Sequence, residues 1–178
     1  MCCLPLETSG AIAFLRLCHH GAVDRLWAPW RAAYVATGPA EAGCFLCAAA
    51  HDDTGVVTRD AATVTVLNRF PYTTGHVLVA PRQHVADLDE AGDDVAAAVM
   101  VAVRRAMRIV TAALSPDGCN IGVNQGAVAG ASVEHLHVHV VPRWSGDTNF
   151  MPVVGQTRVL PELLEETGRR LREAARSL

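Results

Sequence analysis

Residues 134–144 read EHLHVHVVPRW. Three of the chain's eight histidines stand here at alternate positions, and every gap between them holds Leu or Val. Successive side chains of a strand point to opposite faces, so this spacing puts His135, His137 and His139 on one face and Leu136, Val138 and Val140 on the other. The aliphatic face reads as one that packs on a core. A solvated strand face ordinarily mixes Thr, Lys, Glu and Ser, whereas a row of three imidazoles points to a face that performs chemistry. Imidazoles two residues apart can both reach one metal ion. Alternatively, one can attack a substrate while its neighbours steer charge. Spacing alone does not separate these readings.

The flanking sequence sharpens them. QGAVAGAS (125–132) runs directly into the histidine strand. Gly126, Ala129, Gly130 and Ala131 allow close backbone approach, Ser132 adds a hydroxyl, and amides bunched there would form a nest for an anion. A phosphate held in that nest would lie against the imidazoles. Upstream, TVTVLN (63–68) alternates like a strand and HVLVAP (76–81) reads as its hairpin partner across a turn built on Pro71 and Gly75. Residues 93–114 carry Val95, Val99, Val103, Met107, Val110 and Leu114 at intervals of three and four, which predicts a helix opened by Asp93 and Asp94. SPDG (115–118) ends it, CNIGVN (119–124) reads as another strand, and Pro161 opens a final amphipathic helix over roughly 160–176. Residues 38–55 read as loop. The pattern predicts an α+β domain on a mostly antiparallel sheet.

With 178 residues, 51% hydrophobic and 19% charged, the chain is sized for one globular domain. Fifteen basic against eighteen acidic residues give a formal net charge of −3, which argues against non-specific nucleic-acid binding. The arginines at 104, 105 and 108 and at 169, 170 and 172 read as solvated helix faces. Charge breaks every apolar run well short of a membrane span. Residues 1–22 make a poor signal peptide, because no basic residue precedes their short apolar stretch and Glu7 and Arg16 interrupt it. They read as an N-terminal extension, poorly ordered, ahead of a single domain over 23–178. The expected compartment is the cytoplasm, where structural disulfides are rare, so the six cysteines are thiols or metal ligands. Cys44-Phe45-Leu46-Cys47 has the spacing of a zinc or redox pair, and the helix start and strand pattern of a redox motif are not evident. Four-coordinate zinc needs two more ligands, and His51 lies nearby. Cys2, Cys3, Cys18 and Cys119 carry no assigned role.

Together these residues resemble a known family. His135-Leu136-His137-Val138-His139-Val140-Val141 matches the histidine-triad (HIT) signature, in which three histidines alternate with apolar residues. LNRFPYTTGHVLVAPRQHV (67–85) resembles the family's upstream block. DRLWAPWRAAYV (24–35), the CxxC pair and PRWSGDTNFMPVVGQTRVLPE (142–162) resemble bacterial members of the diadenosine tetraphosphate phosphorylase or hydrolase kind. The resemblance spans about 24–175. It implies a HIT-like fold, a five-stranded sheet with one long helix and a C-terminal helix, that dimerises into a ten-stranded sheet. It also implies nucleotidyl transfer or hydrolysis at the α-phosphate of diadenosine polyphosphates or related adenylylated nucleotides.

By match to the motif, His137 is the expected nucleophile, forming a covalent nucleotidyl-histidine, and His139 binds phosphoryl oxygens and aids departure of the leaving group. Asn124 and Ser132 would hold the phosphate and the leaving side, Asn68 the ribose, Val66 and Leu78 the base, and Trp144 would flank the substrate. His76 matches a family position without an assigned role. The resemblance further implies one structural Zn2+ per chain on Cys44, Cys47, His84 and His135, with no metal required by the covalent-histidine chemistry. The segment from Asn124 to His135 is one residue shorter than in the phosphorylase-like relatives, which leaves the dinucleotide substrate and the acceptor open. The alternatives are a nucleoside phosphoramidate or nucleotide-ester hydrolase, and a zinc-containing nucleotide-binding protein with little turnover.

Overall fold

The computed structural model describes residues 43–53, 55–147 and 161–178. The extension 1–22, the aromatic segment 24–35 and most of the block 142–162 lie outside the described residues. Five strands form one sheet: β1 (Val56–Arg59), β2 (Thr63–Leu67), β3 (Val77–Pro81), β4 (Gly118–Val123) and β5 (Val138–Arg143). Their order is β1-β2-β3-β5-β4, and every neighbouring pair is antiparallel. Among the described residues three α-helices accompany them: α1 (Phe45–Ala49), α2 (Asp93–Leu114) and α3 (Leu164–Arg176). The fold is α+β, as the sequence pattern predicts.

The β2–β3 hairpin pairs Val66 with Leu78 and leaves the far edge of β3 open. Helix α2 then carries the chain across to β4, and the slot between β3 and β4 receives β5. Strand β5, which bears His139, is therefore interior, bonded on both sides, while β4 is a sheet edge among the described residues.

Each face of the sheet has its own cluster. Val77 and Val79 of β3 and Val138 and Val140 of β5 pack with Val57 beneath Val99, Ala102, Val103, Ala106, Ile109 and Val110 of α2 and Leu171 of α3. Burying a valine of this kind contributes about 1.5–3 kcal/mol. On the other face Leu46 and Ala49 of α1 cover Val56, Val64, Val66, Leu78 and Ala80. Cross-strand register puts His139 opposite Leu78 and Gly122, on that second face.

Several sequence expectations shift. The stripe of α2 that meets the sheet is rotated toward Ala102, Ala106 and Ile109, leaving Val95 half-buried and Met107 and Leu114 only partly so. The two alanines are small enough to let the helix lie close to the sheet. Strand β1 is an addition, too short at four residues to display alternation. The expected loop 38–55 contains the short helix α1, and Cys44 stands at its N-cap, so the pair does sit at a helix start. Helix α3 begins at Leu164, after Pro161 and Glu162, and Glu162 accepts a hydrogen bond from the Thr167 hydroxyl at 2.7 Å. Most consequential, β5 begins at Val138, so His135 and His137 precede it. The β3–β5 ladder ends at Val79–Val138, because Pro81 has no amide hydrogen with which to continue it. Leu136 instead donates its amide to the Val85 carbonyl at 2.7 Å.

Candidate active site and metal centre

The segment 135–139 joins two clusters of side chains. His135 is buried, and its Nε2–H donates to the Pro81 carbonyl at 2.9 Å. That bond leaves the Nδ1 lone pair facing outward, 3.2 Å from Cys44 Sγ and 3.5 Å from Cys47 Sγ. Cys47 Sγ lies 3.2 Å from His84 Nδ1. The four donor atoms of Cys44, Cys47, His84 and His135 all fall within 4.8 Å of one another. His51, the nearby alternative, is exposed and outside this cluster.

Two sulfurs and two ring nitrogens on one centre form the donor set of a closed tetrahedral zinc site, and the Pro81 carbonyl supplies the outer partner that orients a ligating imidazole. The electrostatics agree. Desolvation lowers the pKa of His135 despite its bond to Pro81, so the ring is held neutral with a lone pair to offer. Burial, and then the neighbouring Cys44, push the Cys47 thiol up from its usual value, a cost that a dication beside it would reverse.

His137 is also buried, with 5% of its surface exposed. Its Nδ1 lies 2.7 Å from the backbone carbonyl of His135. A carbonyl only accepts, so Nδ1 carries the proton and Nε2 keeps its lone pair. The ring of His139 stands 5.0 Å away, edge-on to that of His137.

A further histidine, whose position carried no assigned role, completes the group. His76 is fully buried, and its Nδ1 accepts the Tyr72 amide at 3.1 Å. Its proton is thereby placed on Nε2, which donates to His139 Nδ1 at 2.9 Å. Neutral His139 in turn carries its proton on Nε2. The Tyr72 ring lies over both imidazoles, with centroids 4.6 Å from His76 and 5.8 Å from His139. Gly75, at φ +79°, makes the bend into His76, and a Cβ there would come within 2.2 Å of Leu114 Cδ1. The register could have revealed His76: it has the parity of Leu78, which faces His139 across the ladder.

The remaining expected site residues are placed as follows. Asn68 directs Nδ2 at His76 Nδ1, 3.3 Å away, and its Oδ1 accepts the Phe70 amide at 2.9 Å, so it also builds the turn. Val66 and Leu78 are buried beneath α1 on the triad's face of the sheet. Asn124 follows β4 and donates to the Gly130 carbonyl at 3.4 Å, closing the small-residue loop. Within that loop the amides of Ala129, Gly130 and Ala131 bond to carbonyls of Gly126 and Ala127. Three amides expected for an anion nest are thus spent on the loop's own turn. Ser132 is exposed, and Trp144 is half-buried with its amide bonded to Asp147.

Comparison with known proteins fits this geometry. Residues 50–146 match the family profile described as HIT domain. The chain belongs to the HIT family. An AP-4-A phosphorylase of Mycobacterium tuberculosis is 38% identical over 161 residues, covering 84% of this chain and 83% of that protein. Among solved HIT structures, a Zn-bound histidine triad family protein from Mycobacterium smegmatis superposes with a TM-score of 0.65 at 33% identity, over 76% of this chain and 94% of the other. A hypothetical histidine triad nucleotide-binding protein from Sulfolobus tokodaii superposes with the same TM-score of 0.65 at 28% identity, over 76% and 93%.

The hydrogen-bond pattern predicts ring tautomers that nitrogen-15 NMR can read. His137 should show a protonated Nδ1 and a bare Nε2 in the neutral state, and His76 and His139 the reverse. A neutral His137 protonated on Nε2 would contradict the assignment.

Proposed function

We propose that this protein transfers or hydrolyses nucleotidyl groups at the α-phosphate of diadenosine polyphosphates or related adenylylated nucleotides, through a covalent intermediate on His137. The bond from His137 Nδ1–H to the His135 carbonyl carries this reading, because it presents Nε2 as an unprotonated nucleophile beside His139. In the first step the Nε2 lone pair attacks the α-phosphorus, and the bond from phosphorus to the bridging oxygen breaks. The positive charge that develops on the ring is stabilised through Nδ1–H by the same carbonyl. The departing nucleoside polyphosphate is a stable anion at neutral pH, so a hydrogen bond from His139 Nε2–H suffices to help it leave. In the second step water or inorganic phosphate attacks the phosphorus and breaks the P–N bond. Diadenosine tetraphosphate would give AMP and ATP with water, or ADP and ATP with phosphate. Likeness to the mycobacterial AP-4-A phosphorylase supports this substrate class. Asn68, Asn124, Ser132, Val66, Leu78 and Trp144 are assigned to substrate contacts on their match to the family motif.

Cys44, Cys47, His84 and His135 are assigned to one zinc ion with a structural role, supported by their convergence and by the Zn-bound relative. Bound there, the metal would fix residue 135 and with it the carbonyl that His137 uses. A homodimer is assigned through β4, an edge strand with unpaired backbone on one side among the described residues, on which Ile121 is 45% exposed. Placement in the cytoplasm accords with the thiol usage. No helix among the described residues is long and apolar enough to cross a membrane.

Purified protein incubated with diadenosine tetraphosphate, with and without phosphate, should yield one of the two product pairs, and His137→Ala should lower turnover by at least about a thousandfold. Parent-like turnover in that variant would remove His137 from the chemistry. Absence of turnover with retained AMP binding would favour another adenylylated substrate or a binding role.

Elemental analysis should find one zinc per chain. Cys44→Ser should lose it and melt roughly 4–12 °C lower, the effect of losing about 2–3 kcal/mol in a chain of this length. A zinc-free parent protein would dismiss the metal assignment.

Sedimentation should give twice the chain mass for the parent and the single chain mass for Ile121→Glu. A parent that sediments as a monomer at about 50 µM would rule out the β4 dimer, an expectation that follows from its open strand edge.

A further inference from the structure

On the helix-bearing face of the sheet, away from the triad, β1, α2 and α3 border an open cleft of about 250 Å³. Four arginines line it: Arg59 from β1, Arg105 from α2, and Arg172 and Arg176 from α3, with Val57, Thr58 and Ala175 between them. The sequence shows two separate arginine groups, each with the spacing of a solvated helix face. Folding brings one member of the first and one of the second together, and adds Arg59 and Arg176.

Three acids on and just before α3 are already engaged elsewhere. Glu166 and Glu173 pair with Arg169, and Glu162 pairs with Arg170. Arg105, Arg172 and Arg176 form no ion pair among the described residues, and the closest polar contact of Arg172 is the Val56 carbonyl at 3.5 Å. Arg59 is the most engaged of the four: its Nη2 donates to the Ala49 and Asp52 carbonyls at 2.9 and 2.6 Å and pairs with exposed Asp53 at 3.1 Å, while its Nε is buried with no hydrogen-bond partner among the described residues. Asp60 lies near Arg105 and is spent on its own turn: its Oδ1 accepts the amides of Ala62 and Thr63 at 2.9 and 2.7 Å, and its Oδ2 accepts the Thr63 hydroxyl at 2.9 Å. Three arginines without ion pairs thus border a cleft whose lining holds no acid, beside Arg59, whose guanidinium is already partly engaged. Arg172 and Arg176 are also one helical turn apart, a like-charge spacing that costs stability unless an anion sits between them.

We propose that this cleft binds a condensed phosphate, either free inorganic di- or triphosphate or the phosphate tail of a nucleotide, as a site separate from the triad. Guanidinium forks match phosphate oxygens two at a time, and several forks on one cleft favour a ligand with closely spaced charges over a single carboxylate. The apolar lining offers only Val57 and Ala175, with no aromatic ring on which a base could stack. The proposal stands whether or not the triad performs nucleotidyl transfer.

The test is calorimetric titration of the full-length protein with sodium tripolyphosphate at low ionic strength, with AMP saturating the triad. Parent protein is compared with the double variant Arg105→Gln/Arg176→Gln. Expected are saturable binding that weakens with added salt, at least tenfold loss of affinity in the variant, and unchanged AMP affinity. The variant's melting temperature without the anion should equal or exceed the parent's, because two like charges are gone. A second titration with ATP separates the sources: equal binding identifies a nucleotide tail, and preference for tripolyphosphate identifies the free ion. No saturable binding by the parent, or equal affinity in both proteins, overturns the proposal. So does a lower melting temperature in the variant, which would show that the chain itself partners these arginines.

Discussion

Residue 135 is held from three directions, and the rest of the site is organised by that constraint. Its Nε2–H is fixed by the Pro81 carbonyl, its Nδ1 faces two thiols, and its own carbonyl accepts the hydrogen bond from His137 Nδ1–H. Each bond removes a freedom from the next. A ring pinned at Nε2 presents Nδ1 to the thiols of Cys44 and Cys47, and a backbone pinned by its ring presents a carbonyl at 2.7 Å to the neighbouring imidazole. The cysteine–histidine cluster and the candidate nucleophile are consequently two aspects of one residue's placement.

The sheet explains why so much can be gathered on so short a segment. Strand β5 is interior, so its backbone is bonded to β3 and β4 and its two faces see different surroundings. Val138 and Val140 lock one face beneath α2, while His139 faces the other beside buried His76. Pro81 then ends the ladder where the chain must change task. Beyond it, carbonyls that a longer strand would have spent on its partner are available to imidazoles.

Much of this was legible in sequence, for physical reasons that differ from residue to residue. The helix at 93–114 declares itself because its apolar residues recur every three or four positions over six turns. The hairpin shows because β-branched alternation flanks a Pro and Gly turn. The histidine alternation reveals a chemical face because few other functions would place three imidazoles there. What escaped is short or non-local. Strand β1 has four residues and no visible period. Ala102 and Ala106 line the helix contact, although alanine carries little signal of burial. The start of β5 depends on an absent amide hydrogen at Pro81, fifty-seven residues before it in the chain. The contact of His76 with His139 requires a register that no local pattern contains. Of the metal donors, the CxxC spacing is local and readable, whereas His84 and His135 came from family resemblance, because only the fold brings them to the thiols.

The strict alternation along 135–140 also bears on how the chain reaches its fold. A strand has two faces and a period of two, so sliding β5 by one residue would exchange them. Val138 and Val140 would then leave the cluster beneath α2, and His139 would be driven into it, away from its bond to His76. Burying such a group unsatisfied is costly, so the slipped strand is penalised twice for one error. The residues that equip this segment for chemistry therefore proofread its own assembly.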